Sequence, residues 1–91
     1  MKNLAWNEDK NEQLKAERGV CFEDVETAIN EDKVLEKSSH PNQTKYPNQQ
    51  IYVLEINGYA YIVPYVEDEE KIFLKTIIPS RRATKKYLIK P

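Results

Sequence analysis

Arg81 and Arg82 are followed by Lys85 and Lys86. On a helix this spacing makes two adjacent basic rows, Arg81 with Lys85 and Arg82 with Lys86. Ser80 stands just before them, after Pro79, and serine is a preferred helix cap. Arginines in a first turn oppose the helix dipole, at a cost of about 0.3–1 kcal/mol each when exposed. Cationic side chains and free N–H groups gathered at one helix start suit a phosphate. His40 is the single histidine, and imidazole alone among side chains has an ordinary pKa near neutrality. Lys45 and Tyr46 share its polar stretch. Together these types suit acid–base work on a phosphate ester, with cations holding the charge that develops on oxygen. A blander account fits too: a basic tail offsetting an acidic body, and a surface histidine in a loop.

Charge is strongly polarised along the 91 residues. Residues 1–36 carry five Lys/Arg against ten Asp/Glu, residues 37–70 two against five, and residues 71–91 seven against none. The overall charge of −1 argues against a general nucleic-acid binder, yet the last fifth looks like a phosphate-facing patch. The length predicts one domain over 1–91. No run of about 18 apolar residues is present, so no membrane-spanning helix is expected. The first ten residues lack the apolar core of a signal peptide. One cysteine excludes an internal disulfide framework and fits a reducing, cytoplasmic setting. No Cys/His group has metal-ligand spacing, so no metal or cofactor is expected. Cys21 reads as a small residue at a helix start rather than a nucleophile.

The elements that would position these groups can be read in order. Leu4-Ala5-Trp6 suits a short edge strand. Asn7 caps a helix over 8–18, acidic in its first turn and stopped by Gly19. A second helix over 22–29 carries Phe22, Val25, Ala28 and Ile29 as a core-facing stripe. A short strand over 33–37 leads into the amide-rich loop 38–50, long enough to be functional or disordered. Strands over 51–56 and 59–66 flank Asn57-Gly58, a strong hairpin signal that pairs Ile56 with Tyr59, Leu54 with Tyr61 and Tyr52 with Val63. Both hairpin faces are largely apolar, so each needs cover. Pro64 cannot donate to a ladder, so a bulge or an outward-facing position is expected there. A strand over 71–78 puts Ile72, Leu74, Thr76 and Ile78 on one face. Phe73, Lys75 and Ile77 take the other, with Lys75 a lone cation. The basic helix follows over 81–88. The fold class is α+β: an antiparallel sheet with a three-stranded meander at its centre, an N-terminal helix pair and a short C-terminal basic helix.

Trp6-Asn7-Glu8-Asp9-Lys10-Asn11 and Arg18-Gly19-Val20-Cys21-Phe22-Glu23-Asp24-Val25 resemble the opening pattern of BrnT-like toxins, W-D-E-x-K-N and then K-H-G-V-S-F-E-E-A. Ile78-Pro79-Ser80-Arg81-Arg82-Ala83-Thr84-Lys85-Lys86-Tyr87 is similar to that family's I-S-A-R-R-A-T-R-R-E. The two motifs bracket nearly the whole chain. The chain departs from the pattern at Arg18, where the family has histidine, at Cys21, where it has serine, and through the middle from His40 to Glu70.

The resemblance implies a RelE/ParE-like toxin of a type II toxin–antitoxin pair, generally a metal-independent ribonuclease. Its partner would be a small antitoxin of ribbon-helix-helix type, which would make the only contact with DNA. The RNA substrate could be free or ribosome-associated. In such a reaction Arg81 and Arg82 face phosphate, with His40 or Lys45 as base or acid. Lys75, Ser80, Lys85, Lys86 and Lys10 would line the RNA path. A ParE-like toxin that binds a protein such as a topoisomerase, or a non-enzymatic interaction domain, remains the alternative. An antitoxin is expected over the basic helix and the tyrosine-rich face formed by Tyr52, Tyr59, Tyr61 and Tyr65, which could otherwise stack bases.

Overall fold

The computed structural model describes residues 2–89. Its elements are β1 (Asn3–Ala5), α1 (Glu8–Arg18), α2 (Phe22–Asn30), β2 (Val34–Ser39), β3 (Gln50–Ile56), β4 (Tyr59–Glu67), β5 (Lys71–Leu74), β6 (Ile78–Pro79) and α3 (Arg81–Tyr87). They form an α+β fold around one open sheet in the order β1-β5-β4-β3-β2, with β6 also on β4. β3, β4 and β5 are the expected meander. The sheet is not wholly antiparallel, because β1 runs parallel to β5, with Leu4 opposite Ile72. The helix pair α1 and α2 brings the chain back to the end of the sheet where β1 finished, so β2 runs opposite to β1 while β1 and β5 share one direction.

Local signals explain most element ends. Asn7 Oδ1 accepts from Lys10 N at 2.9 Å, and Gly19, at φ 69°, ends α1 in the left-handed region that other residues enter at a cost. Asn57 and Gly58, at φ 54° and 81°, make the two-residue turn. Left-handed values at both positions match the twist of the flanking strands. The hairpin pairing is as read from the sequence, continuing to Gln50 opposite Tyr65.

The two sheet faces are covered by different helices. α1 and α2 lie over the face bearing Tyr52, Leu54, Ile56, Val63, Tyr65, Ile72 and Leu74, and they contribute Leu14, Phe22, Val25 and Ala28 to that core. α3 covers part of the other face, with Ala83 and Tyr87 against Val53, Ala60 and Ile62. This placement corrects the tyrosine-face expectation. Tyr52 and Tyr65 are buried and stacked, with ring centroids 4.3 Å apart. Rings under a helix pair are not free to stack bases or to receive an antitoxin. Burial also raises the pKa of both phenols.

The strand expected over 71–78 is interrupted. Tyr65 pairs with Leu74, and Ile62 pairs with Ile78. One extra residue therefore lies between β5 and β6, as in a β-bulge. The extra residue inverts the facing, so Ile77 is fully buried beside Leu74 while Ile78 is 40% exposed. Pro64 explains the position of the bulge. Its carbonyl accepts from Lys75 N at 2.8 Å, so its backbone faces this strand, which receives no N–H in return. Pro64 itself stays in regular register with Ile51.

Candidate functional site

α3 is fastened to the central strand at its first turn. Ser80 N donates to Ala60 O at 2.9 Å. Ala60 N donates to Thr84 Oγ1 at 2.9 Å. The Thr84 hydroxyl donates to Ser80 O at 2.8 Å. Ser80 Oγ accepts from Ala83 N at 3.0 Å, the expected cap. Ala83 and Thr84 are buried, so the helix can present only one side outward. That side carries Arg81, Arg82, Lys85 and Lys86, all exposed. The N–H, carbonyl and hydroxyl of Ser80 are all engaged within the fold, so Ser80 itself is not free for a ligand.

The far end of α3 reaches the sheet edge. Tyr87 Oη donates to Glu36 Oε1 on β2, and Lys86 Nζ lies 5.1 Å from the centre of the Tyr87 ring. The tyrosine bond holds the Glu36 carboxyl below the usual carboxylate range. Among the described residues, the ion pairs are Lys2–Glu67, Lys15–Glu12 and Lys33–Glu31. None involves α3 or Lys75. The helix also lies across the sheet from acidic α1 and α2, so it is not a tail folded onto them.

The candidate residues divide into three places. Arg81, Arg82, Lys85 and Lys86 share the outer side of α3. Lys75 is exposed 5.5 Å from the Phe73 ring centre, and Phe73 sits opposite Val66 on the same sheet face as α3. Lys10 belongs to α1, whose packing is on the opposite face.

His40 and Lys45 lie at the other end of β3. His40 N donates to Gln49 O at 3.0 Å, beside Gln50, whereas α3 is fastened at Ala60, opposite Glu55. The six steps from Gln49 to Glu55 span roughly 20 Å of extended chain. This conformation does not place His40 or Lys45 on one phosphate with Arg81.

The loop that holds His40 is ordered by its own bonds. His40 Nδ1 accepts from Asn42 N at 3.0 Å, which leaves the proton of a neutral ring on Nε2. The ring sits 4.5 Å from Tyr46, centroid to centroid. Lys45 N donates to Asn42 Oδ1 at 3.1 Å, and Lys45 Nζ lies 5.4 Å from the Tyr46 ring centre.

Several positioning residues escaped the sequence reading. Asn11, 1% exposed, accepts from Phe22 N at 2.7 Å and donates to Glu23 Oε1 at 2.8 Å. It thereby caps α2 from α1 and holds the Glu23 carboxyl below its usual range. Arg18 donates to Ile77 O and so ties the end of α1 to the bulge before α3. Thr84 and the Tyr87–Glu36 pair set the two ends of α3. Asn11 falls three residues before Leu14 on the inner stripe of α1, and that spacing was the available signal. The others depend on pairs separated by 24 residues or more, and local spacing carries no sign of them. Burial pushes the Cys21 thiol up, away from the reactive thiolate. Among the described residues, no group of three or more His, Cys, Asp or Glu could hold a metal ion. None of their helices is long and apolar enough to cross a membrane.

The family model described as "Ribonuclease toxin, BrnT, of type II toxin-antitoxin system" matches residues 6–86. No curated protein and no solved structure matches the chain.

Proposed function

The chain belongs to the BrnT family of type II toxin–antitoxin ribonuclease toxins, and from this membership we propose that α3 is its RNA-binding and charge-stabilising element. The observation that carries this reading is the outer side of α3: four exposed cations without an ion pair among the described residues. Such a row binds an anionic polymer through its phosphates.

The proposed reaction needs no metal. The RNA's own 2′-OH attacks the adjacent phosphorus, and a base takes its proton. The bond to the 5′-oxygen breaks as that oxygen is protonated. Arg81 and Arg82 stabilise the charge on the non-bridging oxygens, which is electrostatic catalysis by preplaced groups. Lys85, Lys86 and Lys75 hold flanking phosphates. The titratable groups that share α3 with the arginines are Lys85, Lys86 and Tyr87, and Tyr87 brings Glu36 to the end of the helix. His40 and Lys45 meet a different stretch of the same RNA.

Cleavage by such an enzyme in the cytoplasm would halt translation and growth. A cognate antitoxin, of ribbon-helix-helix type in the proposed RelE-like arrangement, would cover α3 and the sheet face beside it and provide any DNA contact. Ribosome association is compatible with a small basic face of this kind. The test is expression of the wild-type chain and of the Arg81→Ala and Arg82→Ala variants, with RNA 5′ ends mapped by primer extension. New ends with the wild type, lost in both variants, support the reading. Growth arrest without new ends would instead favour a toxin that acts by binding a protein.

A further inference from the structure

We propose that an open recess of ≈ 400 Å³ at the end of the sheet opposite the α3 arginines is a subsite for one unpaired nucleobase of the RNA. This proposal rests on the RNA-cleavage reading above. The recess is lined by Ser39, Gln43, Asn48, Gln49, Gln50 and Glu67. No lysine or arginine lines it, and Glu67 brings negative charge, so it does not suit a phosphate. Its lining is a mosaic of amide donors, amide acceptors and one carboxylate, which matches the hydrogen-bonding edge of a base.

The mosaic is held in place before any ligand arrives. Gln50 Oε1 accepts from Tyr65 Oη at 2.9 Å, which leaves the Gln50 Nε2 hydrogens to donate. Gln43 Nε2 donates to His40 O at 2.7 Å and to Gln49 O at 3.1 Å, which leaves Gln43 Oε1 to accept. Glu67 pairs with Lys2 Nζ through Oε2 at 2.7 Å, which leaves Oε1 to accept. Groups fixed by bonds outside the recess lose little freedom on binding. Acceptors beside an amide donor suit guanine best, because its Watson–Crick edge offers two adjacent donors and one acceptor. The recess lies roughly 20 Å along β3 from the level of Ala60. It would therefore select the RNA several nucleotides away from the cut.

The experiment is a titration of isotope-labelled full-length protein with guanosine, followed through the side-chain amide signals of Gln49 and Gln50, with ribose 5-phosphate as the control. Guanosine is expected to move those signals, and ribose 5-phosphate is expected to leave them in place. Gln50→Glu keeps an acceptor for Tyr65 but removes the donor, and should weaken guanosine binding about tenfold. Gln49→Ala, whose thermal melting should match the wild type, gives a second check on binding. Arg81→Ala should abolish RNA cleavage and leave guanosine binding intact. No shift with guanosine, or an equal shift with ribose 5-phosphate, would overturn the subsite even if RNA is still cut. Guanosine binding in a chain that cuts no RNA would support the recess and remove the nuclease reading.

Discussion

Asn11 and Thr84 show how much of this fold hangs on single buried polar groups. Asn11 serves two partners on α2, and Thr84 answers the N–H of Ala60. Removing either leaves buried groups without partners, which costs about 1–3 kcal/mol per group. Asn11→Ala and Thr84→Val should therefore lower the melting temperature by several degrees in a thermal scan. Arg81→Ala and Arg82→Ala should stay within about 0.5 kcal/mol of wild type, because both side chains are exposed and neither forms an ion pair among the described residues. If the arginine variants melt as early as Thr84→Val, their loss of activity would no longer report on chemistry. At this scale the sequence was legible wherever the partner lies nearby in the chain, as with Asn7 and Lys10 or Ser80 and Ala83. It was not legible for Tyr87 and Glu36, which topology alone brings together.

The bulge between β5 and β6 is the feature where strand alternation misled. Strict alternation over 71–78 groups Ile78 with Ile72 and Leu74 and sets Ile77 on the other face, whereas the extra residue opposite Pro64 puts Ile77 beside Leu74 and leaves Ile78 exposed. Ile77→Ala should cost about 2–5 kcal/mol, as for other buried isoleucines. Ile78→Ala should stay near wild type. Urea midpoints of the two variants distinguish the patterns, and a larger loss for Ile78→Ala would contradict the bulge. Helix ends were far more legible, because Asn7, Gly19 and Ser80 act within their own turn. β1 was legible as a strand but not as a parallel one, since the sense of pairing depends on where α1 and α2 return the chain.

For the molecule as a whole, the sheet separates two characters. Acidic α1 and α2 cover one face, and basic α3 lies on the other. The expectation that Tyr52 and Tyr65 stack bases or receive an antitoxin failed because a sequence pattern reveals an apolar face but not which helix will cover it. The division predicts salt-sensitive RNA binding. Four α3 phosphate contacts on single-stranded RNA imply that log K falls by about 3 per decade of salt. A flat profile in a filter-binding assay would count against α3 as the contact.

The carboxylates set the acid limit of the fold. Glu23 is held low by Asn11, Glu36 by Tyr87, Glu67 by Lys2, and Asp68 by the backbone N–H groups of Glu70 and Lys71. A depressed folded pKa gives stability that is present above the unfolded value and is lost as pH falls through the folded one. Melting temperature should therefore hold from neutrality down to the ordinary carboxylate range, then drop. Tyr52 and Tyr65 have raised pKa values. Their contribution is complete below the ordinary phenol range and is lost as pH rises above it.

The most direct measurement of the central claim is cleavage of a defined RNA by purified protein in a chelator-containing buffer, comparing wild type with Arg82→Ala. The expected result is discrete products from the wild type and at least about a hundredfold slower cutting by the variant, the scale of one lost charge-stabilising group. Equal cutting by both proteins, or no cutting by wild type under conditions where it arrests growth, would contradict the account.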